Sequence, residues 1–129
     1  MSPELAFLTY YGILVMLTLL VQVLAAAQQV GLSALAGNRE GLVLTGMAFR
    51  LERATANSLF ALALIAPAVI MLHLSKQGAE MVGQALLLFL LARVAYVLLY
   101  AFGVAWFRTI AWLIGFGCTA VLYARVLGF

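Results

Sequence analysis

Apolar residues run through this chain in four long blocks, Leu5–Ala27, Ala54–Leu74, Met81–Phe102 and Trp106–Leu127, with short polar stretches between them. Each block is close to the roughly 20 residues that an α-helix needs to cross the hydrocarbon core of a bilayer. None alternates with a period of two, so the pattern speaks against an outer-membrane barrel. The expected fold is all-α, an integral-membrane four-helix bundle. Residues 1–129 are read as one domain, because no linker is long enough to separate two. The fourth block is shorter in its uncharged part, Thr109–Ala124, so Arg125 is expected to bend its head group toward the interface.

The polar stretches predict how the blocks connect. Met1–Glu4 is a short polar start with Pro3 near the first helical position. It lacks the positive n-region and cleavage site of a signal peptide, so the first helix is expected to remain in the mature protein. Tyr10 and Tyr11 fall near one end of that helix, where an aromatic belt is expected, and Gln22 inside it predicts a helix–helix hydrogen bond. The segment from Gly31 to Gly46, with Gly37, Asn38, Arg39, Glu40 and Gly41, is the longest polar connection and the expected flexible element. No Lys-Ser/Thr follows its glycines, which removes support for a phosphate-binding loop. In the second block Ala54, Ala56, Ser58 and Ala61 would let another helix approach closely, and Pro67 could bend it. His73 stands beside Ser75 and Lys76 as an interfacial, solvated histidine. The tight Ser75–Glu80 turn makes the second and third helices antiparallel neighbours.

Composition narrows the class. Of 129 residues, 67% are hydrophobic and 9% charged, and the mean hydropathy is +1.19. Soluble domains carry about a quarter of their residues as charges. The net charge of +3 comes from seven basic and four acidic residues without a run of Lys or Arg, so nucleic-acid binding has no support. Cys118 is the single cysteine and cannot form an internal disulfide; beside Gly115 and Gly117 it reads as a small buried residue. One His, one Cys and no carboxylate inside a block leave no metal site.

Against that apolar background the polar residues stand out. A helix begun near Thr45 puts Arg50, Arg53 and Asn57 on one face at spacings of three and four, with Glu52 nearly opposite. Two arginines alone would serve as a snorkelling rim, but an amide one turn deeper cannot reach the interface and needs a polar partner. In the third block Arg93, Tyr96 and Tyr100 share a face, with Arg93 roughly 13 Å from the helix end. An arginine at that depth is a functional-site candidate; the alternative is an Arg paired with a polar neighbour for packing, beside two belt tyrosines. Arg108 and Thr109 open the fourth block. Up-and-down connectivity gathers Arg50, Arg53, Asn57, Tyr100 and Arg108 at one surface, with Arg93 and Tyr96 beneath. That side carries Arg39, Arg50, Arg53 and Arg108 against Lys76 and Arg125, so the positive-inside rule makes it cytoplasmic. Guanidiniums and phenols together suit a small, multiply charged anion.

The patterns Arg50-x-x-Arg53-Ala54-x-x-Asn57 and Arg93-x-x-Tyr96-x-x-x-Tyr100, followed by Arg108, carry a resemblance over essentially the whole chain. The chain resembles a small, bacterial-type member of the MAPEG family, membrane-associated proteins in eicosanoid and glutathione metabolism. The resemblance implies a homotrimer of four-helix bundles in the cell or inner membrane. It implies glutathione as co-substrate, bound between subunits toward the cytoplasmic side, with a lipophilic electrophile or hydroperoxide arriving from the lipid bilayer. By that likeness Arg50, Arg53, Asn57, Arg93, Tyr96 and Tyr100 would hold the tripeptide and Arg108 would sit by its sulfur. A thiol with a pKa near ~8.5 is mostly protonated at neutral pH, and a neighbouring guanidinium favours the nucleophilic thiolate without losing its own charge.

The chain departs from the family pattern in one place that matters. Members usually carry a Glu three residues after the Asn, where this chain has Phe60, and a Pro one turn later, where it has Leu64. The Glu engages the glutathione amine or balances the arginines, so its loss leaves the site more cationic; Glu52 lies on the wrong face to replace it. Two functions follow: a glutathione-dependent transferase or peroxidase-like enzyme, and a non-catalytic membrane protein of the same fold that binds an anionic lipid or another anionic thiol.

Overall fold

The computed structural model describes residues 1–129 and contains five helices: α1 Pro3–Val30, α2 Leu32–Ala36, α3 Gly46–Leu74, α4 Glu80–Ala101 and α5 Ala105–Val126. The four long helices are long and apolar enough to cross a membrane, and the protein is an integral, multi-pass four-helix bundle. Their starts follow local chemistry. The Ser2 hydroxyl accepts from the Leu5 amide at 3.3 Å, Pro3 opens α1 where no intrahelical N–H is required, and Glu4 lies in the first turn. Thr45 is the residue before α3, as the polar spacing predicted, and α3 runs through Pro67 without interruption.

Packing sorts the helices into two hairpins. α1 pairs with α3 and α4 with α5; α3 touches both members of the second hairpin, and α1 reaches α4 but not α5. The main core occupies the half of the bundle that contains the start of α1 and the end of α3. Phe7, Tyr11 and Val15 of α1 share this core with Ile65, Val69 and Leu72 of α3, Leu86 and Phe89 of α4 and Leu122 of α5. Phe7, Tyr11 and Phe89 form its aromatic centre, with Phe89 edge-on to both other rings at 5.7 and 5.0 Å. In the opposite half the buried apolar cluster shrinks to Ala54, Tyr96 and Ala111. The outward faces are strongly apolar, with Leu20, Leu24, Leu88, Leu91 and Leu113 all about half exposed. In lipid such faces are solvated by acyl chains, so the helices are held together by close packing and hydrogen bonds instead of by hydrophobic exclusion.

The expectation for Tyr11 changes here, and the structure adds detail on the glutamines and the long connection. Tyr11 is not in an interfacial belt: it is fully buried, and its hydroxyl donates to the Ser58 carbonyl at 2.9 Å, whereas Tyr10 is exposed. A phenol facing a neighbouring helix instead of headgroups must find an acceptor, and Ser58 supplies one. Gln22 makes no hydrogen bond within the chain, while Gln29 does. The Gln29 amide donates to the Thr45 carbonyl and hydroxyl at 3.1 and 2.8 Å and accepts from the Thr45 amide at 2.9 Å. The long connection is therefore pinned at both ends and contains the short helix α2. At the opposite end of the bundle, His73 Nδ1 lies 3.1 Å from the Ser2 hydroxyl and 3.7 Å from a Glu4 carboxylate oxygen, tying α3 to the chain start.

Tyr11→Phe removes one buried hydrogen bond and should lower stability by about 1 kcal/mol. Thermal unfolding in detergent should show a Tm a few degrees lower, with Tyr10→Phe indistinguishable from the parent. An unchanged Tm for Tyr11→Phe would mean that the bond contributes nothing net.

Candidate functional site

The half of the bundle with the smaller core contains the polar residues. Arg93 is 2% exposed and comes from α4 eight residues, about 12 Å, before its end at Ala101. Its Nη2 donates to the Asn57 carboxamide oxygen at 3.0 Å and to the Ser58 hydroxyl at 3.1 Å, both on α3. Its guanidinium lies over the Tyr96 ring at 4.2 Å. Nε has no hydrogen-bond partner. The one acidic side chain within 4 Å of a basic one is Glu4, beside His73 at the other end, so this buried cation has no carboxylate beside it.

Gly115 of α5 lies beside it. A Cβ there would stand 3.5 Å from Arg93 Cδ and 3.8 Å from the Phe89 ring, ordinary van der Waals contact, so α5 packs directly on the arginine stem. The helix then leaves a hollow. A cavity of about 230 Å³ between α3, α4 and α5 is bordered by Asn57, Phe60, Leu64, Arg93, Trp112, Gly115, Phe116 and Thr119, among others. Trp112 and Phe116 are stacked along it with ring centres 5.3 Å apart.

A second hollow, a cleft of about 160 Å³, lies between α3 and α4 and is lined by Arg53, Ala56, Asn57, Phe60, Tyr96 and Tyr100. Tyr96 and Tyr100 meet edge-on at 5.6 Å, and the Arg108 guanidinium lies over the Tyr100 ring at 4.1 Å. The order Arg93–Tyr96–Tyr100–Arg108 is thus a ladder of cations on aromatic faces, leading from the bundle interior to the start of α5. Asn57 and Phe60 border both hollows. Arg53 is exposed at the cleft mouth, with its charge free to meet a ligand.

The structure brings together Arg53, Asn57, Arg93, Tyr96, Tyr100 and Arg108 but places Arg50 elsewhere. Arg50 Nε donates to the Ala101 carbonyl at 3.0 Å, and its side chain lies along Gly103. It binds an otherwise free carbonyl at the end of α4, a position where the helix dipole also favours a cation. Gly103, with φ of +77°, provides the left-handed turn that brings α5 back beside that arginine. Ser58, Trp112, Phe116 and Thr119 were not among the expected site residues. Ser58 read as a small packing residue. Trp112, Gly115, Phe116 and Thr119 follow each other at three, one and three residues, a single stripe on α5 that helical periodicity alone could have marked.

Chemically, the arrangement offers three guanidiniums, two phenols and one carboxamide, with no acid among them. Such a set grips carboxylates, stabilises a thiolate and donates to neutral oxygens. The family model described as the MAPEG family matches residues 7–128. No curated protein and no solved structure matches the chain.

Proposed function

The chain belongs to the MAPEG family, and from that premise we propose that it is a membrane-bound, glutathione-dependent transferase or peroxidase-like enzyme acting on lipophilic electrophiles or hydroperoxides. The observation that carries this reading is the acid-free ladder Arg93–Tyr96–Tyr100–Arg108 beside Arg53 and Asn57. In the proposed arrangement Arg53 and the Tyr96 and Tyr100 hydroxyls bind the anionic tripeptide, Asn57 meets its backbone, and Arg93 adds positive charge from below. Arg108, stacked on Tyr100 at the open end of the ladder, faces the sulfur and favours the thiolate. The cleft is shallow and opens at the bundle surface, which supports its completion by a second copy of the chain in a homotrimer. The arginine-rich end is proposed to face the cytoplasm.

Each step makes a separate demand. Arg108→Ala should reduce the conjugation rate by about 10²–10³ while changing glutathione affinity little, because stabilising the reacting sulfur acts mainly on the chemical step. Arg53→Ala should do the reverse and weaken binding first. Calorimetry and conjugation rates on purified protein separate the two, and wild-type turnover with Arg108→Ala unimpaired would remove that residue from the mechanism. Crosslinking in mild detergent should give trimers; monomers alone would count against a shared site.

One observation favours a second reading, a non-catalytic protein that binds an anionic lipid or another anionic thiol. Phe60 stands at the junction of both hollows where the family usually has Glu, so the amine of glutathione lacks its customary acceptor. Phe60→Glu should tighten glutathione binding if the rest of the site is built for it. Unchanged or weaker binding would mean that the pocket serves a ligand without a free amine.

A further inference from the structure

The face that α1 and α4 present together carries a feature apart from the cleft. A groove of about 310 Å³ runs between these helices, with Leu51 of α3 and Ala101 of α4 buried beneath it. Leu17, Val21, Leu98 and Phe102 stand about half exposed or more along its sides. It shares no lining residue with the cleft. Its one polar residue, Thr18, directs its hydroxyl to the Leu14 carbonyl at 2.8 Å, so the walls ask only for hydrocarbon. The α1 wall from Leu14 to Val21 is about 10 Å long, well within the roughly 15 Å of hydrocarbon in one leaflet.

Charge distinguishes the two ends of this face. At the arginine-rich end Arg50 holds the Ala101 carbonyl through Nε alone, at 3.0 Å. Its two terminal nitrogens have no partner in the chain and neither is buried, so both are open to an anion. At the opposite end a second apolar groove on α1 and α4, bordered by Tyr10 and Leu87, adjoins a hollow lined by Glu4 and Glu80. We propose that the groove beside Arg50 holds one anionic phospholipid per chain, with an acyl chain between α1 and α4 and the phosphate on the Arg50 terminal nitrogens. Apolar walls alone select weakly, because acyl chains solvate any such face. The guanidinium supplies the selection. A phosphate accepts charge-assisted bonds from it, whereas a zwitterionic headgroup also brings an ammonium that the neighbouring cation disfavours. Arg50 stands level with the end of α4, within a long side chain's reach of headgroup phosphates. The same lipid in the other leaflet would meet Glu4 and Glu80, so the preference is confined to the arginine-rich end. The site requires neither glutathione nor turnover and is independent of the thiol reading.

Native mass spectrometry of the full-length protein, delipidated in detergent and titrated with phosphatidylglycerol or phosphatidylcholine, tests the assignment. Phosphatidylglycerol should bind about tenfold or more tightly, to one per chain, the ratio expected for a hydrogen bond to a charged group. Arg50→Gln keeps a donor for the Ala101 carbonyl but removes the charge, and should erase that ratio. Val21→Trp, on the exposed α1 wall, fills the groove without touching Arg50 and should weaken phosphatidylglycerol binding. Leu87→Trp, in the opposite groove, should leave it unchanged. Equal affinity for the two lipids, an unchanged ratio in Arg50→Gln, or undiminished affinity in folded Val21→Trp overturns the assignment. Equal losses in Leu87→Trp and Val21→Trp would overturn it too, since the lipid would then not be held at this groove. Displacement by oleate at equal concentration would replace the phospholipid with a fatty-acid carboxylate. Exclusion of phosphatidylglycerol from oligomers of the chain would make the groove an interface between copies, and the assignment would fall.

Discussion

A guanidinium buried among apolar helices must be met by acceptors on neighbouring helices, because neither water nor headgroups are within reach. Arg93 is that group here. Its bonds to Asn57 and Ser58 set the position of α4 against α3, since a shift of one residue along either helix would carry the partners away by 1.5 Å and about 100°. Ser58 is a shared fitting: its hydroxyl accepts from Arg93 while its carbonyl accepts from Tyr11 of α1. Three helices are thus brought together around one residue of α3, and the fourth packs against the arginine stem at Gly115. In a bilayer, where helix association gains little from hydrophobic exclusion, such contacts carry much of the specificity.

The same constraint divides the bundle. The half near the start of α1 is packed with aliphatic and aromatic side chains. The half near the start of α3 has few large buried apolar residues and contains both hollows. The larger apolar core lies in the first half, and the arginine-rich cleft lies in the second. Sites on the rigid frame of long helices are positioned more closely than sites on loops, and the ladder from Arg93 to Arg108 spans two helices joined by a turn of three residues, Phe102–Val104.

Phe60 gives the site its own character. A carboxylate at this position would border both hollows and offset the neighbouring cations. A phenyl ring instead leaves the cleft acid-free and adds a wall to the cavity below. This one residue acts in both places because Asn57 and Phe60 lie within one turn of α3 between the two hollows. What the two hollows accept is therefore coupled through one residue position.

The sequence by itself determined the membrane class, the four long helices, and the polar cluster at one end. Block length and mean hydropathy are properties of contiguous residues, and the start of α3 near Thr45 was expected a turn or two before its apolar run. The shared face of Arg93, Tyr96 and Tyr100 came from the helical repeat alone, and so did that of Arg53 and Asn57. Tertiary structure decided the rest. Arg50 has the same spacing as its neighbours yet turns to the Ala101 carbonyl, 51 residues away; Tyr11, beside the exposed Tyr10, is buried against Ser58, 47 residues away; and Arg93 takes its partners from 35 and 36 residues away. Local periodicity says which side of a helix a residue occupies, but not which neighbour that side meets. That depends on how helices rotate and settle against one another, and the volume left between α3, α4 and α5 exists only once they have done so.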